Sequence, residues 1–333
     1  MTGRRIAFAV VLGCFLAILL GAMLFAAEAG YRRLNDIDIF PTAEFRPENM
    51  FEHYTYALFM RSPNNVLYYE PKPGGRYSQY TINKHGFRGE PVSIKKPPNT
   101  TRIVFLGDSI VWGHAVDVEQ SLAAQLETRL NNLSKGRNVE VLNFGVSGYS
   151  TQQEVEIFIE RAKKFEPDFV IVGFCLNDFE KSSVEARPFE RVTLGMTSKS
   201  YMVENIKRLV YHFARQNFDY STEPDFVLKT VDVRREFQRL DEQVDTRILL
   251  AVFPILVDFD SYAYQHLHTD ALESVEGLDF DTLDIIDAFR GHDFQKLKVA
   301  ESDTTHPNSL GISLATEMIA KYFAELPDAR AYF

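Results

Sequence analysis

The strongest pattern along the chain is one unbroken apolar run, for every residue from Ile6 to Ala27 is apolar or small. As a helix rising roughly 1.5 Å per residue, the run reaches about 33 Å, enough to cross the hydrocarbon core of a bilayer. It is longer than the ~7–15 residues of a simple secretory signal, so an uncleaved anchor is expected even though Ala27-Glu28-Ala29 mimics a cleavage site. Val11-Leu12-Gly13-Cys14 faintly follows a lipoprotein box, but apolar residues continue past Cys14, which is expected to sit inside the membrane helix. Arg4 and Arg5 before the run are matched by Arg32 and Arg33 after it. The short, charged N-terminal tail favours a cytoplasmic tail with the bulk of the chain outside, on the periplasmic side.

Residues 34–100 carry aromatics and turn signals such as Pro63-Asn64-Asn65 and Pro73-Gly74-Gly75, with no long helical period, and predict an irregular membrane-proximal extension. Within it, Asn83 to Gly89 is expected to be a surface turn feeding the first core strand. Beyond Pro97-Pro98, short apolar runs alternate with amphipathic segments, the pattern of a parallel sheet wrapped by helices. Five strands are predicted: Arg102–Gly107, Val139–Phe144, Phe169–Phe174, Arg247–Phe253 and Leu283–Phe289. Leu122, Leu126, Leu130 and Leu133 share one helical face, as do Val155, Phe158, Ile159, Ala162 and Phe165; a last helix follows Gly311 and ends before Pro327. The long gap between the third and fourth strands holds an insertion, about 180–245, with helices expected over Tyr201–Gln216 and Phe226–Val244. It serves as a lid, as packing or as a partner surface. The expected parts are an anchor over 1–33, the extension over 34–100 and an α/β domain over 101–333.

Composition narrows the function. With 45% hydrophobic and 25% charged residues the chain folds around a core, and a net charge of −10 without a long basic run speaks against nucleic acid as a partner. Cys14 and Cys175 do not make a disulfide framework.

The chemistry sits where strands end. The first strand runs into Gly107-Asp108-Ser109, at the kind of carboxyl edge where ligands bind in open α/β sheets. Near the C-terminus stands Asp303-Thr304-Thr305-His306. An acid three residues before a histidine can lie on the same side of a turn, accept the Nδ1 proton and leave Nε2 free as a base. A serine needs such a base, and the oxyanion formed on attack needs fixed donors. The second strand exits toward Gly148, whose N–H can approach a substrate with no side chain between, and the third exits toward the Asn177 amide. Each block alone is an ordinary turn. The chain has no Gly-x-Ser-x-Gly elbow and no phosphate-binding Gly-x-x-x-x-Gly-Lys-Ser/Thr loop. His266 and His268 lack a completing ligand pair and are expected to be surface histidines. Cys175 is a weaker nucleophile candidate than Ser109.

Ser, Gly, Asn and Asp-x-x-His in this order, at the exits of successive strands, resemble the SGNH (GDSL-type) hydrolase superfamily over residues 102–323. The resemblance implies a flavodoxin-like three-layer α/β/α sandwich with a five-stranded parallel sheet. It also implies that Ser109 is the nucleophile, His306 the base and Asp303 its orienting acid, with the Ser109 N–H, the Gly148 N–H and Asn177 as the oxyanion hole. No cofactor and no metal are implied. An anchor and extension ahead of Gly-Asp-Ser are similar to bacterial members. Many members have Gly two residues before the Asn, where this chain has Cys175, which puts the shape of the acyl pocket in question. The expected function is a membrane-anchored serine esterase for acyl or acetyl esters, on a small molecule or a glycan. The alternatives are an acyltransferase acting on an envelope polysaccharide and a non-catalytic scaffold that binds a membrane-protein partner.

Overall fold

The computed structural model describes residues 2–35, 57–134, 136–182, 185, 200–216 and 229–333. Residues 36–56 of the expected extension, parts of the insertion and the first residues of its second helix lie outside these. The anchor run forms one helix, α1 (Thr2–Leu34), whose apolar window is not buried against the rest of the chain.

Five strands, β1 (Thr100–Gly107), β2 (Asn138–Gly145), β3 (Phe169–Cys175), β4 (Arg247–Phe253) and β5 (Phe280–Asp284), form one parallel sheet in the order β2-β1-β3-β4-β5. This is the flavodoxin-like order, with its switch point between β1 and β3. Every residue of β1 is buried, because helices cover both faces. Ile103 and Phe105 point into one apolar layer, Val104 and Leu106 into the other, as the two-residue period of a strand requires.

The layer around Ile103 is closed by α2 (Ser109–Trp112) and α3 (Leu122–Leu133). The layer around Val104 is closed by α4 (Thr151–Ile157), and the segment after it widens through Phe158–Ala162 before tightening at Lys163–Phe165. In α3 the residues Leu122, Leu126 and Leu130 are buried, whereas Leu133, at the last turn, is 50% exposed. The insertion holds α5 (Tyr201–Gln216) and α6 (Val233–Asp241); Asp232 caps α6 by accepting the Arg235 N–H. Next come α7 (Gln265–Glu273), α8 (Ile286–Phe289) and α9 (Ser309–Glu325), the last packed against α3.

The fifth strand starts three residues and ends five residues earlier than its hydrophobicity suggests. Asp284 accepts the Ile286 N–H (3.2 Å) and ends the strand, so Ile285, Ile286 and Phe289 enter the core from a helical turn.

The expected surface turn at Asn83–Gly89 is instead partly interior. Phe87 and Arg88 are buried, and the extension packs Leu58, Phe59, Tyr69, Tyr80 and Ile82 into the same apolar layer as Trp112 and Phe144. Arg88 explains the burial. Its Nη1 donates to the carbonyls of Trp112 (2.6 Å) and Gly113 (2.8 Å), and its Nη2 to that of Val116 (3.1 Å). A helix of one turn leaves its C-terminal carbonyls without partners, and this guanidinium supplies them.

Candidate active site

Three glycines in register, Gly107, Gly145 and Gly173, end β1 and β2 and lie within β3. They make a floor without side chains on which α2 rests. A Cβ on Gly145 would stand 2.4 Å from the Trp112 nitrogen, and one on Gly107 or Gly173 within 2.5 Å of a Val111 methyl. Asp108 caps α2 by accepting the Ile110 N–H at 2.9 Å. Ser109 is thereby held at the carboxyl edge with 9% of its surface exposed.

The loop before α9 brings the other partners. Oδ1 of Asp303 accepts the N–H groups of Thr305 and His306, both at 2.9 Å, and Oδ2 accepts Nδ1–H of His306 at 2.8 Å. That bond selects the tautomer with a free Nε2, which lies 2.8 Å from Ser109 Oγ. Burial pulls the Asp303 carboxyl upward, but the donors from His306 and Thr305 outweigh it and hold the group below its ordinary range.

Asn177 follows β3 and donates from Nδ2 to Asp108 Oδ2 (3.1 Å), the oxygen that also lies 3.1 Å from Ser109 Oγ. One hydrogen-bond network therefore joins Ser109, Asp303, His306 and Asn177. Gly148 enters no hydrogen bond of that network among the described residues; it stands at the neighbouring exit of β2 with φ +82°. Its turn is braced by Tyr69, whose hydroxyl donates to the Ser147 carbonyl at 2.6 Å. A Cβ on Gly148 would stand 3.0 Å from that hydroxyl. Cys175 is fully buried within the layer that contains Phe253 and Leu256, and burial pushes its thiol well up, so it is held as an uncharged core group.

Several residues of the site have no signal in the sequence. The His114 ring lies 4.2 Å from the His306 ring, centroid to centroid. Burial, and then the neighbouring His306, lower its pKa. A turn after a one-turn helix, closed by Gly113 at φ +82°, brings it back over Ser109, a return that only the glycine hints at. Donor atoms of His114, Asp303 and His306 lie within 4.8 Å of one another, but Asp303 and His306 are already engaged with each other and with Ser109. Glu154 on α4 and Asp178 beside Asn177 are buried carboxyls. Both Oε atoms of Glu154 and Oδ1 of Asp178 lack a hydrogen-bond partner among the described residues. Burial pushes both pKa values well up; the Asp108 carboxyl adds to this for Glu154, and Glu154 followed by Asp108 adds to it for Asp178.

The expectation of two surface histidines fails for one of them. His266 is exposed, but His268 is fully buried, with Nδ1 on Asp284 Oδ1 (2.7 Å) and Nε2 on the Tyr262 hydroxyl (3.0 Å). It ties α7 to the end of β5, a role that follows from tertiary packing and leaves no local pattern.

The sequence model of the GDSL-like lipase/acylhydrolase family matches residues 105–312, more than half of the chain. The chain belongs to this family. It is thus an ester-hydrolysing serine hydrolase of the SGNH type. No curated protein matches it. Among solved structures, the GDSL-family chain is similar to a lipase/acylhydrolase from Enterococcus faecalis, at 15% identity and TM-score 0.43, covering 67% of this chain and 95% of that one. It is also similar to an α/β hydrolase from the metagenome of Lake Arreo, Spain, at 15% identity and TM-score 0.46, covering 66% and 94%. A two-domain esterase active on acetylated mannans is similar at 18% identity and TM-score 0.41, over 70% of this chain and 50% of that one.

Proposed function

We propose that this hydrolase is a membrane-anchored esterase that cleaves an acyl or acetyl ester through an acyl-enzyme on Ser109. The observation that carries the reading is the continuous contact from Asp303 through His306 to Ser109, with 2.8 Å at each step of the side-chain chain. In the first half-reaction Ser109 Oγ bonds to the ester carbonyl carbon, and its proton moves to His306 Nε2. The oxyanion is met by the N–H groups of Ser109 and Gly148 and by the Asn177 amide. The ester C–O bond then breaks, and the leaving alkoxide takes the proton from Nε2. Water repeats the sequence with the acyl group as electrophile, releasing the carboxylic acid and restoring Ser109. Asp303 keeps the imidazole in register and offsets its transient positive charge. Every atom is accounted for without a cofactor.

In this reading α1 is an uncleaved anchor over 1–33, residues 34–100 link it to the catalytic domain over 101–333, and that domain lies outside the cytoplasm. The same acyl-enzyme can pass its acyl group to a sugar hydroxyl, and product analysis with a donor ester and a glycan acceptor separates transfer from hydrolysis. The test of the mechanism is the initial rate on acetyl and longer-chain aryl esters for the detergent-solubilised full chain. Ser109→Ala is expected to lower kcat by at least about 10³ with an unchanged melting curve. Full activity in Ser109→Ala overturns the mechanism.

A further inference from the structure

Helix α5 is amphipathic, and it is mounted with its apolar side outward. Val203, Ile206, Leu209, Val210 and Phe213 recur at three- and four-residue steps and fall on one arc, yet they are 38%, 50%, 63%, 52% and 70% exposed. The opposite arc faces the protein. Glu204 is fully buried there and accepts from Lys207 Nζ at 2.8 Å, and the Tyr201 ring is buried beneath the Arg32 guanidinium, 4.7 Å away. A surface helix in water packs the other way round, with its apolar stripe inward. Five large apolar side chains on one exposed face call for a solvent other than water.

The attachment of α5 says which solvent. Its N-terminus is capped from α1: the Glu28 carboxylate accepts from Ser200 Oγ (2.6 Å), from the Tyr201 N–H (2.9 Å) and from the Met202 N–H (3.1 Å), and also from Arg32 Nε (2.9 Å). Glu28 is the first charged residue after the apolar run that ends at Ala27. If α1 spans a bilayer, this is the level at which hydrocarbon gives way to headgroups. Helix α5 therefore starts at the boundary, about 24 Å long, with its apolar arc open and with Lys207 and Arg208 on its other side. An amphipathic helix whose apolar arc is left exposed has the make-up of one lying in the plane of an interface.

We propose that α5 lies in the headgroup boundary of the bilayer that α1 crosses, with Val203, Ile206, Leu209, Val210 and Phe213 sunk among the acyl chains. The protein then has two membrane contacts, one across and one along the surface, and does not swing freely about its anchor. The segment that carries α5 leaves the sheet just after Asn177 and returns where the Thr230 and Val231 N–H groups donate to the Phe179 carbonyl (3.0 and 2.9 Å). The inference rests on α1 being a membrane span, and the experiment separates the two.

The full chain with Cys14→Ser is reconstituted into phosphatidylcholine–phosphatidylglycerol vesicles; buried Cys175 is retained, and the parent without added cysteine sets the background. Single changes Ile206→Cys, Val210→Cys, His212→Cys and Leu16→Cys each receive an environment-sensitive fluorophore. Quenching is read with nitroxides near the headgroup or deep on the acyl chain. The expected result is strong quenching at positions 206 and 210 by the shallow nitroxide, at least threefold weaker quenching at 212, and quenching at 16 by the deep nitroxide. Quenching at 16 with none at 206 and 210 overturns the docking of α5 and leaves the anchor standing. No quenching at any position overturns both. Deep quenching at 206, 210 and 212 alike overturns the surface placement.

Discussion

At the residue scale His306 is surrounded by groups that fix its state. Asp303 stays ionised across the neutral range because three donor contacts from two residues outweigh its burial. His114, whose ring is tilted against that of His306, has its pKa lowered by burial and then by that neighbour. A histidine whose folded pKa lies below its ordinary 6.5 binds fewer protons than in the unfolded chain. Its effect on stability is therefore absent above that value, and stability is lost as pH falls below it toward the folded value. His114→Gln should flatten the fall in melting temperature on going from about pH 7 to pH 5 relative to the unaltered protein. Equal slopes in thermal melts would show that His114 is not held neutral. Ser109, Asp303 and His306 were legible because each lies in a short block: Gly-Asp-Ser at a strand end, and Asp-x-x-His within one turn. His114, Glu154 and Asp178 were not, since what defines them is burial and contact with chain segments far away in sequence. His268 misled for the same reason, its partners being Asp284 and Tyr262.

At the scale of elements the sheet was legible as apolar runs, four strands to within two residues, because a strand covered on both faces has no polar side to blur it. The helix Tyr201–Gln216 has the bounds its period gives. The fifth strand was displaced because Ile285 and Ile286 carry the β-branched signature of a strand but are buried at a helical turn, where Asp284 accepts the Ile286 N–H. The extension was read as a preface, and its interior role rests on Arg88, which a sequence of turn residues does not reveal. Arg88→Ala leaves three carbonyls behind the Ser109 turn without that donor. It should destabilise the fold by about 3 kcal/mol and lower activity even where the protein remains folded. Arg88→Lys should recover only part of this, because an ammonium does not reproduce the planar fork. Urea melts of the two variants check both statements, and a loss below about 0.5 kcal/mol for Arg88→Ala would show that the contact does not support the turn.

At the scale of the molecule, one helix long and apolar enough to cross a membrane precedes a domain whose carboxyl edge carries the site. The length of the apolar run made that helix plain from sequence. What sequence did not give is how the domain meets the helix, because the Glu28 cap on α5 joins positions 172 residues apart. Anchoring by α1 predicts that the full chain, expressed in cells, stays with the membrane pellet through an alkaline carbonate wash and leaves it in detergent. Release into the carbonate supernatant would mean that the run is removed or lies peripherally.

The central claim is that Ser109 is a nucleophile activated by His306. Detergent-solubilised protein treated with a fluorophosphonate probe, with the adduct located by mass spectrometry, reads this directly. The account predicts one adduct on Ser109, absent in Ser109→Ala and slowed by at least about 10³ in His306→Ala. An adduct elsewhere, none on folded protein, or labelling of Ser109 at an undiminished rate without His306 would contradict it.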